Sequence, residues 1–247
     1  MKKIIAIVLI AVMALAAFTA CKKNDNKPAE DVKGEGVMTH EQYVAAEIGA
    51  EVVVETYVQA KQSWWDNKGT FYTQDKDGAY FIYEMGCTEE EYNKLVPGTK
   101  IKVTGHKAQW PESTGIIEII DAKFEIEEGN YVAEAFDATA LFGTDDLAKH
   151  MAEYFTVKSA VIEAMDEEGA AFWYNWDNSG EDGSDLYFKV KIGEKTYTFT
   201  VESCLCDKTT EVYNAVKNLK VGDTVDVEGF LYWYEGPQPH VTAITVK

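Results

Sequence analysis

The chain has 247 residues, with 42 acidic side chains against 23 lysines, no arginine, and a formal net charge of −19. Such acidity repels phosphate backbones, and the residue that grips phosphate in a bidentate way is missing, so neither nucleic acid nor an anionic lipid surface is expected as a partner. The length suits one or two domains, each able to bury a core.

At the N-terminus, Lys2 and Lys3 precede an apolar run from Ile4 to Phe18. The run is short for a membrane span and reads as a secretion signal. Its ending, Phe18-Thr19-Ala20-Cys21, resembles the lipobox of bacterial lipoproteins, with Phe18 where leucine is commoner. That resemblance implies removal of residues 1–20, a diacylglycerol on the Cys21 thiol, and residence at the outer, extracytoplasmic face of a bacterial membrane. Residues 21–38 are polar, with Pro28, Gly34 and Gly36, and read as a flexible tether. No later apolar run is long enough to cross a bilayer.

Thr39-His40-Glu41-Gln42 has capping-box spacing and predicts a short helix to about Glu47. Glu51–Ala60 is rich in β-branched residues and predicts a strand continuing towards Trp64. Two aromatic, alternating runs, Gly69–Gln74 and Ala79–Met85, flank Asp75-Lys76-Asp77-Gly78, a hairpin signal. Thr88 to Glu91 is a second capping box, with Tyr92, Leu95 and Val96 along one helical face and Pro97-Gly98 as the stop. Strands over 99–110 and 115–126 follow.

The second half repeats this order. A short helix near Asp145–Glu153 precedes a strand at 154–164, a hairpin about Gly193-Glu194-Lys195, a helix from Cys206 to Leu219, and strands over 224–234 and 240–246. One phrase is nearly duplicated: LVPGTKIKVTG at 95–105 and LKVGDTVDVEG at 219–229. It leaves a helix and enters a strand, with Ile101, Val103, Val225 and Val227 facing the core. The first glycine ends the helix and the second permits a bend. Strand-strand-strand-helix-strand-strand, written twice, resembles the five-stranded Greek-key barrel called the OB-fold, found in tandem in some bacterial lipoproteins. The expected architecture is mainly β with short helices, as two tandem OB-like barrels over residues 39–128 and 129–247, each with a leading short helix.

OB barrels bind ligands beside the loops that join strands one to two and four to five. All six tryptophans map there. Trp64, Trp65 and Trp110 belong to the first barrel, and Trp173, Trp176 and Trp233 to the second. With Asp66, Asn67, Asp177, Asn178, Tyr232 and Tyr234 they form a candidate binding set, in which rings stack and polar groups bond hydroxyls. The same rings would equally serve to plug the barrel ends. The ligand expected from this set is neutral or cationic, a glycan or a protein or peptide. A structural role in an envelope assembly is the alternative, and a glycan-acting hydrolase a minor one.

No metal, cofactor or catalytic centre is expected. Thr73–Glu84 has EF-hand-like oxygens but strands on both sides, and the acidic loop 177–185 lacks the register. Cys87, Cys204 and Cys206 are too few for a zinc site, and Cys87 and Cys204, at matching points of the repeat, are expected to be buried. His40, His106, His150 and His240 are scattered, and no nucleophile elbow, phosphate loop or dinucleotide fingerprint is present.

Overall fold

Residues 33–247 are described by the computed structural model; the expected signal peptide and Cys21 lie outside them. Helix α1 (His40–Ala45) opens at Thr39, whose hydroxyl accepts from Gln42 N while the Gln42 side chain returns to Thr39 N. The helix is shorter than its sequence suggests, because Ala46 leaves it in an extended conformation.

Strands β1 (Glu51–Lys61), β2 (Lys68–Gln74) and β3 (Ala79–Gly86) then form a meander. Asp75 makes the hairpin turn by accepting Asp77 N and Gly78 N on Oδ1. Helix α2 (Glu89–Lys94) carries the second complete capping box, and β4 (Thr99–Trp110) and β5 (Ile116–Asn130) follow. β1 pairs antiparallel with β4 and β3 pairs parallel with β5, which closes the barrel in the order β1-β2-β3-β5-β4. Its core holds Val52, Val54, Phe71, Ile82, Ile101 and Val103, with Tyr43 of α1 at one end and Leu95 after α2 at the other.

The second barrel repeats the plan. A two-residue strand, β6 (Phe136–Asp137), and a 3-10 helix (Asp145–His150) lead to β7 (Tyr154–Glu163). The remaining elements are β8 (Trp173–Tyr174), β9 (Leu186–Ile192), β10 (Lys195–Val201), α3 (Glu211–Lys217), β11 (Thr224–Phe230) and β12 (His240–Val246). β7, β9, β10, β12 and β11 close on one another through the β7–β9 pairing. Two five-stranded barrels of OB topology are therefore present in tandem.

The duplicated phrase does the same work in both copies. Gly98 and Gly222 have φ of 93° and 94°, a left-handed turn that side chains resist. Gly105 and Gly229 sit at register shifts of the β4–β5 and β11–β12 pairings. There an added Cβ would lie 2.7 Å from Ile120 O and 2.1 Å from His240 O. The glycines let the strands bend where the barrel turns its corner.

Three local expectations are corrected. Helix α3 begins at Glu211, not Cys206, because the Asp207 carboxylate captures Thr209 N and Thr209 Oγ1 in a turn, and Thr210 then caps the helix. Cys204 is exposed, its carbonyl turned to Ser63 N of the first barrel at 2.7 Å, while Cys87 and Cys206 are buried. Residues 33–38, read as tether, lie against the first barrel. Lys33 Nζ sits 2.6 Å from the buried Asp75 carboxylate, and Met38 N donates to Val53 O.

A third apolar cluster joins the barrels. Tyr72 and Phe81, on the outer face of β2 and β3, pack with Ile116 and Phe230, and Tyr232 and Trp233 close over them. Tyr72 stacks on Phe230 with centroids 4.4 Å apart, and its hydroxyl lies 2.8 Å from His240 Nδ1. Backbone bonds span the seam, Ile116 N to Trp233 O among them at 2.9 Å. Tyr154 N also donates to Gln74 Oε1 across it.

Candidate functional site

The seam opens on one side into a cleft of about 560 Å³. Trp110, at the end of β4, forms its first-barrel wall. Trp176, Tyr187, Tyr232 and Tyr234 come from the second barrel, and Glu202, Gln238 and His240 add the polar surface. Trp110 is 61% exposed and Trp176 73% exposed, so both ring faces are open to a ligand. The loop after Trp110 is held by Gly115 N donating to Pro111 O and by the pairing of Gly115 with Tyr234. Those two loops, each joining strands four and five of its barrel, thus lie side by side.

Glu202 anchors the polar end. Its Oε2 accepts from Gln62 Nε2 of the first barrel and lies 3.3 Å from His240 Nδ1. Burial opposes its charged form, yet His240 and the Gln62 bond outweigh burial and hold the carboxyl below the usual carboxylate range. Tyr232 stacks on His240 at 4.1 Å, which fixes both rings. Burial, and then nearby carboxylates, push the Tyr187 phenol up to about 12 and the Tyr232 phenol higher, so both stay neutral donors at physiological pH. Glu118, buried on β5, is pushed up to about 7 by burial and by Glu84. Its charge near Tyr232 is therefore partial at neutral pH. Among the described residues, no lysine lines the cleft.

Of the candidate residues, Trp110, Trp176, Tyr232 and Tyr234 converge here, across barrels rather than at a separate rim of each. The others lie elsewhere. Trp64 packs on the first core and its Nε1 donates to Cys87 O. Trp173 Nε1 donates to Asp166 Oδ2, and Trp233 packs into the seam. Asp66 and Asn67 both have positive φ, in a two-residue hairpin turn between Trp65 and Lys68. Trp65 is 80% exposed on that turn, outside the cleft. Asn178 has positive φ and Asp177 Oδ1 accepts Ser179 N, so these also shape a turn.

Sequence reasoning missed Tyr187, Glu202 and Gln238 and placed His240 only among four scattered histidines. No local pattern marks them, because barrel docking creates the cleft. A second groove of about 590 Å³ on the first barrel contains Lys68 and Lys123. Lys68 is already paired with Glu84 at 2.8 Å, which leaves that groove weakly charged. Among the described residues, no group of three or more His, Cys, Asp or Glu is arranged to hold a metal.

Fold and site together define a tandem OB-fold protein with an aromatic cleft at the barrel junction. No protein-family model and no curated protein matches the chain. Solved structures do. The Ifi202 HINa domain in complex with 20 bp double-stranded DNA is similar at 12% identity over 80% of this chain and 98% of that one, with a TM-score of 0.35. A murine DNA-binding protein bound to double-stranded DNA is similar at 10% identity over 78% and 94%, with a TM-score of 0.37. A replication protein A heterotrimer bound to single-stranded DNA is similar at 8% identity over 80% and 49%, with a TM-score of 0.32. At these identities the likeness is one of fold.

The expectations of a glycan or peptide ligand and of no nucleic-acid partner are overturned to this extent: the similar structures are a HINa domain, a DNA-binding protein and a replication protein A heterotrimer, each solved on DNA. The envelope-assembly and glycan-hydrolase alternatives gain nothing from them either. The exclusion of nucleic acid rested on net charge and on the missing arginine, both of which bear on phosphate contacts.

Proposed function

We propose that this chain is a non-catalytic binding protein that takes unpaired bases of a single-stranded nucleic acid in the cleft between its barrels. The observation that carries this reading is the meeting of Trp110 and Trp176, from different barrels, with Tyr232 and Tyr234 in one open cleft. Every base has a π-face, and stacking on an aromatic side chain contributes about 1–3 kcal/mol per base. Two stacked bases then supply about 2–6 kcal/mol, so affinities reach about 40 µM at best. A duplex keeps its base faces paired and stacked inside, and is not a ligand for this site.

The acidic surface gives the reading a sharp signature. Ordinary single-strand binding weakens steeply with salt, with a slope of about −0.7 per neutralised phosphate. Here binding should be flat or should strengthen as salt screens the repulsion. Titrating the full-length chain in mild detergent with heptathymidine, while following tryptophan emission at several salt concentrations, tests this. Quenching that Trp110→Ala reduces about tenfold in affinity is expected, with no response to duplex DNA. Absence of quenching by any single strand would remove the reading.

The apolar run and the ending Phe18-Thr19-Ala20-Cys21 support a lipid anchor, and hence a place at the extracytoplasmic face of a bacterial membrane. Cys21→Ser should abolish incorporation of labelled fatty acid and leave the protein in the soluble fraction. Continued acylation of that variant would refute the anchor.

A further inference from the structure

Building on the nucleobase reading, we infer that the polar end of the cleft selects guanine. The inference comes from which polar atoms the protein leaves unused. Glu202 Oε2 is occupied by Gln62 and His240, whereas Glu202 Oε1 has no protein partner among the described residues. The Gln238 carboxamide has none either, although its backbone N–H bonds to Tyr232 O. Both side chains line the cleft beside the stacking rings. A base lying between those rings therefore meets one unsatisfied carboxylate oxygen and one unsatisfied amide.

A carboxylate oxygen only accepts hydrogen bonds, and each carries about two lone-pair sites. Among the four bases, guanine alone offers two adjacent donors on its pairing edge, N1–H and N2–H, with the O6 acceptor next to them. Glu202 Oε1 can take both donors while Gln238 Nε2 donates to O6. Thymine and uracil present a single N–H between two carbonyls, which sets acceptors against the anion. Adenine and cytosine place a ring-nitrogen acceptor beside their amino group, with the same repulsion. A site that hydrogen-bonds one edge rejects others chiefly because its own buried polar groups then go unpaired. One well-matched pair of such bonds discriminates by about tenfold or more.

The test compares heptathymidine with three versions carrying one central guanine, adenine or cytosine, by tryptophan quenching of the full-length chain in mild detergent. The guanine strand should bind about tenfold tighter than the other three. Glu202→Gln should erase that preference, and Gln238→Ala should reduce it. Trp110→Ala should weaken all four strands by a similar factor. Equal binding of the four strands overturns the guanine inference and leaves the nucleobase reading standing. Binding of none overturns both.

Discussion

Replacing Tyr72 with alanine should lower the unfolding free energy by about 3–5 kcal/mol, the range for removing a buried aromatic side chain. Tyr72 is fully buried yet lies outside the first barrel's own core, in the cluster that joins the barrels. Its ring stacks on Phe230 and packs on Phe81, and its hydroxyl meets His240 Nδ1. The loss therefore falls on the contact between barrels, and each barrel keeps its own apolar centre. Urea unfolding should change from one transition to two, because coupling through the seam is what makes the pair cooperative. Tyr72→Phe keeps the rings and removes one buried hydrogen bond, so it should cost only about 1–2 kcal/mol and preserve a single transition. Equal losses for the two variants would show that packing at the seam contributes little.

The second large effect is expected at Lys107. This residue continues the inward-facing series Ile101, Val103 and Gly105 along β4, where an apolar side chain would be ordinary. Its ammonium instead donates to Tyr43 O, Val44 O and Ala46 O at 2.8–3.0 Å, satisfying the last carbonyls of α1. Lys107→Met keeps the stem but leaves Val44 O and Ala46 O without their donor, while Tyr43 O keeps Ala46 N. We expect a loss of about 2–4 kcal/mol, given that bonds to charged groups are stronger than neutral ones and that orphaned buried acceptors are costly. Tyr43→Phe is the contrast. The Tyr43 hydroxyl is buried with no hydrogen-bond partner among the described residues, so its removal should be neutral or slightly stabilising. Denaturant titration of both variants separates the cation's role from the packing of α1.

What the sequence revealed follows the range of the interactions involved. Both capping boxes were legible because Thr39 with Gln42, and Thr88 with Glu91, are three residues apart. Strand alternation and the duplicated phrase were equally local, and they led to the correct barrel order. The α3 boundary slipped because Asp207 competes for the backbone one turn earlier, a preference that apolar spacing does not reveal. The candidate cleft was half legible. Exposed tryptophans could be placed near the right loops, but nothing told Trp110 and Trp176, which share a cleft, from Trp64 and Trp173, whose indole N–H groups are spent internally. Glu202 and His240 come together only through strand pairing and the docking of Gln62 from the other barrel.

The seam joins unlike faces of two like units: β2 and β3 of one barrel meet the β11 end of the next. Such head-to-tail contacts have no intrinsic stopping point, and a series of similar units could continue as a filament. On the second barrel the non-core face of β9 and β10 carries Tyr187, Lys189, Lys191, Thr196, Thr198 and Thr200, so the pair Tyr187 and Thr200 stands where the first barrel has Tyr72 and Phe81. The face that receives a neighbour on the first barrel is thus built of two rings, and its counterpart on the second of one ring flanked by lysines and hydroxyls.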